Sequence, residues 1–181
     1  MTVRGAGGPG LIAWLASPVA LLAIGWVAGL RLNLTGSLPA GLYVTSRSAP
    51  VRGALVLACL PAKVAVFAKA RGYVPPGVQC PSGVSAVGKP VVAIVGDTVT
   101  VTPTGILVNG AALPNTRALA SDRKGRRLPQ LATGRYVVEP GTVWIVSSYS
   151  RFSFDSRYFG AIEALQVRAN LWRLWTGGSG R

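Results

Sequence analysis

The stretch PVVAIVGDTVTVTPTGILVNGAAL, residues 90–113, determines the fold class. It is rich in Val, Ile and Thr and is interrupted by Gly, Pro and Asn-Gly, a composition typical of short strands joined by turns. Its central part predicts a hairpin with a turn at residues 103–105. Residues 53–61 and 134–148 have the same character. The sequence therefore predicts a mainly β domain.

Two segments near these strands lack strand character. Residues 62–73, AKVAVFAKARGY, are the best candidate for a helix inside the domain. Residues 114–133 carry five basic side chains and no strand pattern, which predicts an exposed basic insertion or loop. We find no internal repeat and no linker, and a chain of 181 residues is of the size of one domain with its own core.

The N-terminal region predicts a membrane anchor. After a short segment, residues 1–10, residues 11–30 form a run of twenty uncharged positions, long enough for a helix to cross a bilayer. A cleaved secretory signal is the alternative, although the apolar part of such signals is shorter, about 7–15 residues. We expect a retained, single-pass anchor with the rest of the chain outside the cytoplasm.

Charge indicates an anionic partner. Nineteen Lys and Arg against five Asp and Glu give a net charge of +14, which suits nucleic acid or an anionic lipid surface. Residues 161–181 combine Trp172 and Trp175 with Arg168 and Arg173, and we expect an amphipathic helix on the lipid interface. A core-packed terminal helix with solvated arginines is the alternative.

The two cysteines, Cys59 and Cys80, are too few for a Cys-rich metal site. In an oxidising compartment they could pair and close a loop of about twenty residues. An unpaired, buried Cys59 is the other possibility, because its neighbours are apolar.

Catalysis in this chain has to proceed without histidine. A serine nucleophile would then need a carboxylate, an amino terminus or a neutral lysine as its base. Lys89 enters an apolar strand, where desolvation would lower its pKa; a base that works near pH 7 needs a decrease of about 3 units. A surface lysine whose amine reaches solvent is the alternative interpretation.

A candidate nucleophile lies shortly after the predicted anchor. In LTGSLPAGLY, residues 34–43, Ser37 stands among Gly and Pro residues that stiffen the backbone, and it could present a hydroxyl and an amide to a substrate. Chain reach keeps Ser37 within about 25 Å of the membrane boundary. Taken alone, the segment is an ordinary turn.

These stretches together resemble the signal peptidase I family of serine–lysine membrane proteases. TGSLPAG is similar to the nucleophile box of the family, which implies that Ser37 attacks the substrate and that Ser37 and Thr35 form the oxyanion hole. In the family the base lysine stands eight residues before the aspartate of a Gly-Asp pair, as Lys89 does before Asp97.

SFDSRYFG is similar to the last box of the family. The resemblance implies that Ser153 bonds the lysine amine and that Asp155 pairs with Arg157. It further implies a signal-peptidase-like antiparallel β domain, residues 31–160, behind one transmembrane helix, acting through an acyl-enzyme without metal or organic cofactor. The substrate would add a strand beside a four-residue segment. This segment comprises Ser85, Ala86, Val87 and Gly88.

Departures from the housekeeping enzymes resemble the TraF subgroup, the peptidases of conjugative transfer. Pro90 replaces the usual arginine, and SSYS, residues 147–150, replaces Gly-Asp-Asn. The subgroup implies a bacterial inner-membrane enzyme, with its catalytic domain on the periplasmic side, that matures pilin and in some systems joins the pilin ends. The alternatives are a housekeeping signal peptidase I acting on other signal-bearing precursors, or an inactive module whose basic residues 117–127 bind nucleic acid or lipid. Few aromatics accompany those charges, which disfavours nucleic acid.

Overall fold

The computed structural model describes residues 18–33 and 37–176. Eleven strands and three helices are defined within these residues. The helices are α1 (Pro18–Val27), α2 (Ala62–Ala70) and α3 (Ser156–Phe159). The strands are β1 (Leu30–Asn33), β2 (Gly41–Ser46), β3 (Leu55–Ala58), β4 (Val87–Ala93), β5 (Thr98–Thr102), β6 (Gly105–Val108), β7 (Ala111–Ala112), β8 (Gly134–Val137), β9 (Thr142–Ile145), β10 (Ile162–Glu163) and β11 (Val167–Thr176).

The larger sheet has seven strands in the order β1-β2-β11-β3-β4-β9-β10, and all its pairings are antiparallel. Alternate residues of β4 are buried, the pattern of a strand with one face in the core. Part of that core is an aliphatic cluster contributed by β3, β4, β9 and β10. Its buried members are Val56, Ala58, Val91, Val143, Ile145 and Ile162. The mainly β, antiparallel fold is therefore confirmed.

The smaller sheet has four strands in the order β7-β6-β5-β8. It contains the predicted hairpin: β5 pairs with β6 from Val99↔Val108 to Thr102↔Gly105, which leaves a two-residue turn at Pro103 and Thr104. Gly105 was predicted in the turn and lies at the start of β6 instead. Trp144 of β9 packs against the buried face of this sheet and joins the two sheets into one body.

The predicted internal helix and the disulfide lie together. Helix α2 begins at Ala62 as expected and ends at Ala70, before the glycine at position 72. Cys59 and Cys80 form a disulfide, and both are buried in the cluster that α2 covers. This bond ties the end of β3 to the segment that leads into β4.

The predicted C-terminal helix is wrong. Residues 167–176 form strand β11, the longest strand described, which inserts between β2 and β3. Its first half pairs with β3 and its second half with β2. Spacing of apolar residues along this segment did not distinguish a helix from a strand, and pairing with two distant strands decided the outcome.

The predicted anchor, residues 11–30, falls partly outside the described residues. Within them, α1 has ten residues, and no helix is long and apolar enough to cross a membrane. The anchor and the domain boundaries therefore stay predictions.

Candidate active site

Three distant segments meet at Lys89. Ser37 lies in the turn before β2, Lys89 in β4, and Ser153 shortly before α3. Lys89 Nζ lies 2.5 Å from Ser37 Oγ and 2.7 Å from Ser153 Oγ. The structure thus brings together three residues that were singled out from separate stretches of sequence.

Lys89 is buried, with 4% of its surface exposed. Burial lowers its pKa from 10.5 to about 8; the negative charge of Asp155 opposes this decrease and the positive charge of Arg157 adds to it. With a pKa of about 8, roughly one tenth of the amine is neutral at pH 7. A neutral amine beside a serine hydroxyl can accept its proton.

Asp155 and Arg157 form an ion pair that is fully buried, with 2.8 Å between Arg157 Nε and Asp155 Oδ1. Asp155 also caps α3 by accepting a hydrogen bond from the Arg157 amide. Both side chains bind the backbone of Ser147: its amide donates to Asp155 Oδ2 at 3.0 Å, and its carbonyl accepts from Arg157 at 2.5 Å. The pair therefore fixes Ser147 from both sides.

Ser147 is a site residue that the sequence analysis missed. Its hydroxyl donates a 2.6 Å hydrogen bond to the carbonyl oxygen of Ser37. Ser147 is fully buried two residues after the end of β9 and 110 residues from Ser37. The only local signal was its position as the first residue of the segment that departs from the usual Gly-Asp-Asn.

Two more side chains hold the segment that follows Ser37. The Asn33 side-chain amide donates to the carbonyls of Leu38 and Pro39, and the Tyr43 hydroxyl donates to Pro39 O at 2.7 Å. Leu38 is buried against Gly88, where a Cβ atom would come within 2.9 Å of the Leu38 side chain. Three successive carbonyls beginning at Ser37 are therefore fixed by side chains.

The predicted substrate segment, Ser85–Gly88, lines a cleft of about 700 Å³ that also contains Ser37 and Lys89. The amide of Ser85 donates to Pro75 O and that of Ala86 to the Gln79 side chain, so these two amides are already occupied. Ser85 and Ala86 therefore do not have free amides to pair with a substrate strand, as the prediction for the whole segment requires.

Gly88 is the best placed of the four residues for strand pairing. The amide and carbonyl of Val91 bond toward β3, and the carbonyl of Pro90 bonds toward β9. Because strand residues alternate in direction, Gly88 shares the side of Pro90. Strand β9 ends at Ile145, opposite Val91. An extended peptide could continue the sheet beside Gly88, next to Lys89.

Thr35, the other candidate for the oxyanion hole, lies outside the described residues. The roles of the Ser37 amide and the Thr35 hydroxyl in an oxyanion hole therefore stay predictions.

Comparisons with known proteins identify the family of this chain. The family model "Signal peptidase, peptidase S26" matches residues 11–175. The chain belongs to this family. This match confirms the family expected from the sequence. Membership of this family implies a serine peptidase.

Several curated relatives are conjugation proteins. A plasmid transfer protein TraF of Escherichia coli is 43% identical over 82% of this chain and 83% of its own length. The conjugal transfer protein TraF of Agrobacterium tumefaciens strain 15955 is 38% identical over 79% of this chain and 80% of its own length. Among solved structures, a signal peptidase I from Enterococcus faecalis V583 is 20% identical and covers 70% of this chain and 100% of its own, with a TM-score of 0.41.

Proposed function

We propose that this chain is a membrane-associated serine endopeptidase that uses a Ser37–Lys89 dyad. The observation that carries the proposal is the buried amine of Lys89, 2.5 Å from the Ser37 hydroxyl and with a pKa lowered to about 8. Without histidine in the chain, this lysine is the base best placed to activate a serine.

The first chemical step is acylation. Neutral Lys89 accepts the proton of Ser37 Oγ as this oxygen attacks the scissile carbonyl, and the Ser37 amide and the Thr35 hydroxyl stabilise the oxyanion. The ammonium then gives its proton to the leaving amine, which departs and leaves an ester on Ser37. Ser153 holds the Lys89 amine in position through its 2.7 Å contact.

The second step resolves the ester. Water, or the amino terminus of the substrate itself, attacks the ester carbonyl and loses a proton to Lys89, which returns it to Ser37 Oγ. Attack by water releases a linear product. Attack by the substrate's own amine closes a ring, and a tethered amine has a high effective concentration.

For the biological setting we propose maturation of a pilin precursor in a conjugative transfer system. Support comes from the relatives named as plasmid and conjugal transfer proteins. The disulfide between Cys59 and Cys80 suits an oxidising compartment such as the periplasm.

Association with the membrane has structural support outside the predicted anchor. On the outer end of the larger sheet, two cross-strand rows of apolar side chains run over β1, β2 and β11. They comprise Leu30, Val44 and Trp172, and Leu32, Leu42 and Trp175. Trp172 and Trp175 are 62% and 65% exposed. Exposed tryptophans within an apolar patch are typical of a surface that contacts a lipid interface.

The test is processing of a cognate pilin precursor by the full-length protein in membranes. We expect Ser37→Ala to abolish processing while membrane association persists, and Ser46→Ala, a serine on β2 outside the cleft, to process normally. Intact mass separates the two products, because a ring is lighter than the linear chain by one water. Processing by Ser37→Ala at the normal rate would reject the dyad. Loss of function on neutralising Arg123, Lys124, Arg126 and Arg127, with none in Ser37→Ala, would favour a non-enzymatic binding module.

A further inference from the structure

Positive charge is concentrated in the cleft. Among the described residues that line it, six carry a basic side chain and one carries a carboxylate, Asp122. The basic residues are Arg31, Arg71, Lys89, Arg123, Lys124 and Arg126. Three of them and Asp122 come from the insertion, residues 114–133, which therefore forms part of the cleft and is not only an exposed loop.

Internal contacts fix this part of the insertion against the body. Asp122 accepts hydrogen bonds from the Tyr73 hydroxyl at 2.6 Å, from Arg126 Nε at 2.7 Å, and from the amides of Lys124 and Arg126. Arg71 donates to the carbonyl of Arg127 at 2.7 Å. These contacts hold the insertion in place as one side of the cleft. We call residues 122–126 the basic wall.

The carboxylate of Asp122 is already occupied by neighbouring arginines. It pairs with Arg126 at 2.7 Å and lies 3.9 Å from Arg71. Neither Arg123 nor Lys124 has an ion-pair partner among the described residues. These two cations remain available to a ligand.

Arg123 packs on a residue that lines the cleft. Its guanidinium lies over the Phe152 ring, 4.1 Å from the ring centre. Phe152 lines the cleft and immediately precedes Ser153, which contacts the Lys89 amine. A cation held at this place lines the same cleft as Ser37.

We propose that the basic wall selects substrates with acidic side chains close to the scissile bond, through Arg123 and Lys124. This inference rests on the proposed peptidase function. A peptide is favoured over a lipid headgroup because the wall lies in the same cleft as Ser37 and Gly88, where an extended chain would bind. Carboxylates bind guanidinium and ammonium groups through charge-assisted hydrogen bonds, which are stronger in a cleft than on an open surface.

The test is a peptide library digested by the full-length protein in neutral phosphatidylcholine nanodiscs and read by mass spectrometry. Peptides are matched in pairs that carry Glu or Gln at the same position. We expect a Glu over Gln preference of about 2- to 5-fold within a few residues of the cleaved bond, decreasing as salt rises. Arg123→Gln/Lys124→Gln should bring the ratio toward one, whereas Arg117→Gln/Arg127→Gln should preserve it.

The control pair removes the same charge from the same insertion at exposed residues that do not line the cleft. Equal cleavage of Glu and Gln peptides, or an unchanged ratio in the Arg123 and Lys124 variant, overturns the proposal. Loss of binding to phosphatidylglycerol vesicles with the peptide ratio unchanged would make the wall a lipid contact instead. Absence of any cleavage that depends on Ser37 would reject the peptidase function, which is a separate result.

Discussion

The hydroxyl of Ser147 connects the buried ion pair with the candidate nucleophile. Asp155 and Arg157 hold the Ser147 backbone, and Ser147 Oγ holds the carbonyl of Ser37. The ion pair thus acts on Ser37 through a chain of hydrogen bonds, in addition to its electrostatic effect on Lys89. A buried pair of this kind contributes little net stability, but it fixes geometry when every group is satisfied.

Removing the Ser147 hydroxyl tests its positioning role. We expect Ser147→Ala to lower kcat by about 10- to 100-fold, because Ser37 loses its restraint while the lysine base is kept. The apparent pKa of the rate profile should not move, and Ser147→Thr should restore part of the rate. Ser148→Ala is the matched control. Wild-type kcat in a folded Ser147→Ala protein would show that the contact has no role in turnover.

The Asp155→Asn variant distinguishes two effects of Asp155: its charge on the pKa of Lys89, and its structural contacts with Ser147 and Arg157. The Asp155 charge raises the pKa of Lys89 against the larger effect of burial, so its removal should move the rising limb of the rate profile to lower pH. Loss of one partner of a buried pair should also reduce the free energy of unfolding by about 3 kcal/mol. The profile is measured from pH 5 to 10, with denaturant unfolding in parallel.

Asp97→Asn is the control for that experiment. Asp97 pairs with Arg52, which is half exposed, and its charge is not among those that act on Lys89. We expect this variant to keep the wild-type profile. A profile that stays fixed in Asp155→Asn as well would limit Asp155 to a brace.

Local patterns in the sequence located the candidate dyad, its partner Ser153 and the Asp155–Arg157 pair, but not the other residues that hold the site. Ser37, Lys89 and Ser153 each lie in a short motif with recognisable spacing, so they could be selected before the fold was known. Ser147, Asn33 and the basic wall lie in the site only because distant strands and loops pack together. Local sequence patterns do not indicate contacts between residues that lie far apart in the chain.

Strand β11 illustrates the same limit for secondary structure. Its residues 167–176 place Trp and Leu at spacings compatible with one face of a helix, yet β2 and β3 offer backbone partners on both sides. Backbone pairing with two strands outweighed the weak local preference. The hairpin of β5 and β6, by contrast, is encoded in adjacent residues and was predicted to within one position.

The disulfide stabilises the part of the fold that leads into β4. It joins residues 21 positions apart, and closing such a loop is worth about 3 kcal/mol. We expect Cys59→Ser/Cys80→Ser to lower the melting temperature by about 6–12 °C. Reductant should lower that of the wild-type protein similarly and leave the variant unchanged. Equal melting temperatures for the oxidised protein and the variant would contradict this stabilising role.

For the whole molecule, composition indicated one domain and the strand patterns indicated the β class, whereas the order of strands required the structure. The net charge of +14 suggested an anionic partner without locating it. The fold places part of that charge in the cleft, where six basic residues contribute to the lining. Sequence alone could not assign the insertion to the cleft, because Tyr73 and Asp122 are 49 residues apart.

The central claim is that neutral Lys89 activates Ser37, and the pH dependence of acylation tests it most directly. The full-length protein in nanodiscs is mixed with excess pilin precursor, and release of the leaving peptide in the first turnover is followed by rapid quench from pH 6 to 10. We predict a rate that rises about tenfold per pH unit and levels off near the lowered pKa of Lys89, about 8, with no turnover in Lys89→Met or Lys89→Arg. A rate independent of pH, or acylation of Ser37 at the wild-type rate in Lys89→Met, would contradict the account.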